Sequence, residues 1–290
     1  MNKAKINNIE ILFPAAWDNF NKKQLLFFVE LYLQDISTIE IKTRLLLFLL
    51  NIKFKSKQSI SKYGEELFHV KQKDAGELLI SDREFSFLST GLDFLFRKQK
   101  GTEYVCSELT QNLIPEFKIN SIWFYGPEQK LYNLVWDEYM QADSYFTAFN
   151  NSKDEKDLDK LIASLYRIEK KDYDPEDENF DGDKREKFNS YLIEKRAALL
   201  SKLDRKIKYA IYLYYCGCKN YLKKTFDLVF NSSGSESSGS DRGYLTLNDS
   251  LSKEYADSPE KVRSYLLYDV MERLQNSRKA QIDLEKKIKK

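Results

Sequence analysis

"ELFHVKQKDAGELLIS", Glu66 to Ser81, decides how much sheet to expect in this chain. It reads as two short strands around a Lys73-Asp74-Ala75-Gly76 turn, because apolar runs flank a cluster of turn formers. Working outward, most of the chain carries helical periodicity. Upstream, Ile9 to Phe13 reads as a short strand stopped by Pro14. Asn21 with Gln24 is spaced as a capping box, and Leu25, Phe28, Val29 and Tyr32 then share one helical face. Ser37 with Glu40 repeats the box, and the helix through Leu50 is apolar nearly all round, as buried helices are. Downstream, Ser81 with Glu84 opens a helix to about Phe96, with Phe85, Leu88, Leu92 and Leu95 in one stripe. Tyr104 to Trp123, broken by Pro115, shows no clear period.

Gly126-Pro127 is a turn signal, after which a helix is expected from near Asn133, with Leu134, Tyr139, Tyr145, Phe146 and Phe149 as its apolar surface. "LDKLIASLYRIEK", "REKFNSYLIEKRAALLSKL" and "RKIKYAIYLYYCGCKNYLKKTF" are further helical segments. Their many tyrosines can bury a ring while the hydroxyl reaches water, which suits helices that meet each other or a partner. "NSSGSESSGSDRG" has the composition of a flexible linker. Ser258-Pro259 marks a helix start, with proline at the first helical position and Val262, Leu266, Val270 and Leu274 as a narrow apolar stripe. The expected fold is mainly α: a helical bundle with a minor β-hairpin element and a tethered C-terminal helix. Its segments are 1–125 (mixed helical, with short strands), 126–230 (helical), 231–257 (flexible linker) and 258–290 (amphipathic helix). Strands and helices do not alternate as a parallel sheet requires, which argues against dinucleotide-type architecture.

The 290 residues hold 47 Lys+Arg and 45 Asp+Glu, a net of 47 − 45 = +2. That balance argues against a dedicated nucleic-acid binder. With 42% hydrophobic and 14% aromatic residues the chain can build a sizeable core. No apolar run approaches the roughly 20 residues that span a bilayer, and "MNKAKINNIEILF" lacks the apolar centre of a signal peptide. A cytoplasmic location is expected.

Candidate sites are few. In "KDYDPEDENFDGDKREKF", Lys171 to Phe188, residues Asp177, Asn179, Asp181 and Gly182 match the first half of a calcium loop. Position twelve is Phe188, which cannot ligate, and position nine is Arg185, a cation. The competing reading is a solvated connector in which Asp183 caps the following helix. His69 is the only histidine; no G-x-S-x-G accompanies it, so a half-buried structural role in a strand is expected. Cys106, Cys216 and Cys218 lack the partners of a zinc site and read as reduced thiols. Neither phosphate-binding glycine pattern occurs. No cofactor is expected. Lys286, Lys287, Lys289 and Lys290 could touch phosphates, but Asp283 and Glu285 dilute them.

Four segments in order, "FPAAWDNFNKKQLL", "YGPEQKLYNLVWDEYMQADSYF", "LDKLIASLYR" and "DPEDENFDGDKREKF", resemble uncharacterised proteins of phages and prophages from Bacteroidota-type bacteria. The resemblance spans roughly Phe13 to Phe230. The middle segments are also similar to helical tail-assembly chaperone-type proteins of tailed phages. The glycine of that pattern is missing here, where Val135, Trp136, Asp137, Glu138 and Tyr139 stand. The resemblance implies a non-enzymatic protein of virion (tail) morphogenesis, located in the host cell or the virion, whose partner is a phage structural or tail protein. Trp136, Tyr139, Tyr145 and Phe146, with Val262, Leu266, Val270 and Leu274, are the expected contact residues. Alternatives are a structural component that stays in the particle, a calcium-binding protein using Asp177, Asn179 and Asp181, or a nucleic-acid-binding accessory protein. Neither a membrane nor nucleic acid is the expected partner, and oligomeric state is left open.

Overall fold

The structure is a computed structural model and describes residues 1–6, 9–60, 64, 66–73, 76–178, 182–230 and 241–288. It corrects the expected fold class. The chain is 56% helical and 18% strand, with four small sheets among the described residues, so it is mixed α and β and not a mainly α bundle. It divides into two compact units, Met1–Leu109 and Thr110–Lys290.

In the first unit, β1 (Asn2–Ile6) pairs antiparallel with β2 (Ile9–Phe13). Next come α1 (Lys22–Tyr32) and α2 (Thr38–Leu49). The capping box at α1 closes, with Asn21 and Gln24 bonding each other's backbone N–H. At α2 the Ser37 side chain accepts from the Glu40 N–H. The stretch from Glu66 becomes β4 (Glu66–Gln72) and β5 (Gly76–Ser81), joined by a third strand, β3 (Ile52–Ile60), in the order β3-β4-β5. Val70, Leu78 and Ile80 bury one face of this sheet.

The helix after Ser81 is shorter than expected. α3 (Asp82–Ser89) passes into a 3-10 turn, and Phe96 already starts β6 (Phe96–Gln99), paired with β7 (Thr102–Val105). Gly91 explains part of this: an added Cβ would lie 2.9 Å from the Phe13 ring, so the chain must approach closely there. Trp17 centres the core, edge-on to Phe28 at 5.3 Å, and its Nε1 donates to the Cys106 carbonyl at 2.9 Å.

The second unit begins with the hairpin of β8 (Glu116–Ile119) and β9 (Ile122–Tyr125), so the division falls after Leu109 and not after Tyr125. Packing explains the boundary. Phe117 stacks on Tyr166 at 5.0 Å, and Tyr125 exchanges backbone hydrogen bonds with Arg167. The helices are α4 (Trp136–Ser152), α5 (Glu155–Leu165), α6 (Ile193–Leu200), α7 (Arg205–Thr225) and the short α8 (Asp227–Phe230).

Residues 231–240 of the expected linker lie outside the described residues, but 241–255 form a helix, α9 (Asp241–Tyr255). It is held by buried Tyr244, Asn248 and Leu251. The expected C-terminal helix is two: α10 (Pro259–Arg263), capped by Ser258 as its sequence suggests, and α11 (Leu267–Ile288). Between them Leu266 bridges antiparallel to Val135, with Leu267 N–H donating to Leu134 O and Trp136 N–H to Tyr265 O, both at 2.8 Å. The stripe therefore docks on its own unit.

Candidate functional site

The acidic stretch is not one thing. Asp177 sits in a turn, its N–H donating to the Asp174 carbonyl, while Asn179 and Asp181 lie outside the described residues. After Gly182 the chain turns inward. Glu186 N–H donates to Ile168 O and Lys170 N–H to Lys184 O, pairing the end of the stretch with the segment after α5. This places Arg185 in the interior, where all five of its side-chain N–H groups are used. Nε donates to Asp183 Oδ1 (2.9 Å), Nη1 to Glu138 Oε1 (2.9 Å) and Leu165 O (3.0 Å), and Nη2 to Asp183 Oδ2 (2.8 Å) and Asn133 O (3.1 Å). Asp183 is thus spent on Arg185 and does not cap the next helix. Asn189 does that, accepting from the Tyr191 N–H.

Glu138 is the other pole. Its side chain is fully buried, and its second oxygen accepts from Arg167 Nη2 at 2.9 Å. Burial pushes the Glu138 carboxyl up, against the pull of the Arg185 and Arg167 guanidiniums. Arg167 also donates to Glu186 O, and Arg196 pairs with the Glu186 carboxylate at 2.8 Å. Beside this network lies an open cleft of about 860 Å³, with Phe188, Tyr191, Glu260 and Arg263 among its walls. The charges at its base already answer one another.

Of the expected contact residues, Trp136 and Tyr139 are each 1% exposed and belong to the core. They stack at 5.8 Å, and the Tyr244 ring meets both edge-on. Tyr244 Oη donates to Asp143 Oδ2 at 2.5 Å, and Lys219 pairs with the other oxygen of the same buried carboxylate. Val262 and Val270 are buried as well, Leu274 is half-buried and Leu266 exposed. Tyr145 and Phe146 are half-buried, as are two residues the sequence reading did not single out, Tyr209 and Tyr212 of α7.

Phe146, Tyr209 and Tyr212 are linked by ring contacts, while Tyr145 stands under Lys160 of α5. Phe146 stacks on Tyr212 at 5.6 Å, over a floor of buried Phe149 and Tyr215. Tyr212 Oη donates to Asn150 Oδ1 at 2.7 Å. Cations stand over these rings, each also paired with a carboxylate: Lys219 (with Asp143) 4.6 Å from the Phe146 centroid, Arg205 (with Glu155) 5.2 Å from Tyr209 and Lys160 (with Glu194) 5.6 Å from Tyr145. The signal in the sequence was the three-residue spacing of Tyr209 and Tyr212 on α7, one turn apart.

His69 lies in β4 with Nε2 3.2 Å from Ser59 Oγ. Cys218 is buried, and Cys106 and Cys216 are half-buried free thiols. Among the described residues, no helix is long and apolar enough to cross a membrane. No family model, curated protein or solved structure matches this chain.

Proposed function

We propose that this chain is a non-enzymatic phage or prophage protein of virion (tail) morphogenesis that binds a structural protein through the outer aromatic face of α4 and α7. One observation carries the reading: half-buried Phe146, Tyr209 and Tyr212 form an aromatic cluster on α4 and α7, with Lys219 and Arg205 over its rings. Aromatic residues and arginine are the types that dominate protein–protein contacts, because they contribute large rigid area with a polar handle. The non-enzymatic reading is supported by how the buried charges are used. Glu138, Asp183 and Glu186 each answer an arginine, as in a structural network. The phage setting comes from the four resembling segments between Phe13 and Phe188.

The test is to purify tagged protein from cells expressing the rest of its phage or element, and to read both the captured proteins and the content of purified particles by mass spectrometry. Capture of a tail or tape-measure protein, with the chain absent from particles, is the expected result. Presence in particles would make it a structural component. Capture of no virion protein would overturn the reading.

A further inference from the structure

Between α4, α9 and α10 lies an open cavity of about 310 Å³. That is near the lower end of the ~300–1,000 Å³ of small-molecule sites. Asp137 of α4, Asn248 of α9 and Arg263 of α10 line it, with Met140 and Tyr244 supplying apolar surface. The Asp137 and Arg263 side chains attract one another, yet among the described residues neither makes a hydrogen bond or an ion pair. Burial raises the Asp137 carboxyl above its ordinary value against that pull, as befits an anion without a close counter-charge. Glu260, one turn before Arg263, is engaged with Ser258 at the start of α10. Asn248 is 1% exposed, and its Nδ2 donates to the Pro259 carbonyl at 3.2 Å, which leaves Oδ1 a buried acceptor with no donor. Arg263 Nε is likewise a buried donor with no acceptor. Folded proteins seldom leave such atoms unsatisfied.

We propose that this cavity binds a small α-amino acid as its zwitterion. Two opposite charges without partners in one cavity call for one ligand that carries both. An amine or a carboxylate alone would leave the other protein charge half-buried and unpaired. Asp137 and Asn248 Oδ1 accept from the ligand's ammonium, and the Arg263 guanidinium donates to its carboxylate, for which the planar fork is shaped. Met140 and Tyr244 meet the ligand's side chain, which is apolar and short enough for the volume. The ligand touches three helices at once. Its binding therefore fastens α9, whose polar ties include Tyr244 to Asp143 and Asn248 to Pro259, onto α4 and α10.

Calorimetric titration of the full chain with L-alanine, L-valine and L-methionine tests this. At least one should bind with a Kd between about 10 µM and about 1 mM, the range open to ligands of so few atoms. For the tightest of the three, acetylating the amine or amidating the carboxylate should each weaken binding at least about thirtyfold. Asp137→Asn and Arg263→Gln should each weaken it at least about tenfold. Both variants should still unfold cooperatively, since neither side chain holds a partner in the free chain. The bound amino acid should slow amide exchange across α9. Neither heat nor a rise in melting temperature with any of the three probes at about 10 mM would overturn the proposal. So would equal binding of the acetylated or amidated form, binding undiminished by either substitution, or binding that leaves exchange across α9 unchanged.

Discussion

The two halves of α4 are both rich in aromatic residues, yet those residues have different surroundings. Its first half, Trp136 to Asp143, carries a buried tryptophan, a buried tyrosine and three carboxylates, of which Glu138 and Asp143 are buried and Asp137 half-buried. Its second half carries Tyr145 and Phe146, half-buried, with Asn150 bonded to Tyr212. The difference lies in what is opposite. The first half meets Tyr244 of α9, the Arg167–Arg185 pair and the Leu266–Leu267 bridge. The second half meets α7 and α5, with Phe149 buried and Tyr145 and Phe146 half-exposed. Amphipathicity alone does not separate the buried aromatic residues from the half-buried ones; packing against Tyr244 of α9 and the Tyr265–Leu267 segment does.

That contrast can be broken from the inside first. Glu138→Ala leaves two buried guanidiniums without their shared carboxylate and should cost about 3–5 kcal/mol of stability, read from urea unfolding. Tyr139→Ala opens a cavity beneath Tyr244 and should cost about 3 kcal/mol by the same measurement. Tyr244→Phe removes one donor from the buried Asp143 carboxylate, worth about 1–3 kcal/mol. It should also loosen α9, seen as faster amide exchange across 244–255. Against the outer half, Tyr212→Phe removes the bond from α7 to Asn150 and should cost about 0.5 kcal/mol. A cost near that of Tyr139→Ala would show the two halves to be alike.

Local signals were legible where one or two residues carry them. The Asn21–Gln24 and Ser81–Glu84 boxes and the Ser258-Pro259 start all close as their spacing suggests. The Ile9 to Phe13 strand and the two around Gly76 also form. The hairpins β6-β7 and β8-β9 were not legible, because strands of four residues offer only two inward positions each, too few to establish a period. The sheet content was underestimated partly for that reason, and partly because β1 (Asn2–Ile6) and the nine-residue β3 (Ile52–Ile60) were not read as strands either.

Arg185 was hidden because its partners are distant in sequence; within an acidic stretch it reads as one solvated charge among many. Glu138 was the available clue. It stands on the stripe of Leu134 and Ala142, both fully buried, where a carboxylate requires a cation. The burial of Trp136 and Tyr139 depends on α9, which the composition of 231–257 concealed.

The most direct measurement replaces Tyr209 and Tyr212 together by alanine and compares capture of the tail component with that of the wild-type chain, alongside melting temperature. The account predicts that capture is lost while the melting temperature falls by only a few degrees, about 1 kcal/mol for a unit of this size. Undiminished capture, or a loss of stability as large as that of Tyr139→Ala, would contradict it.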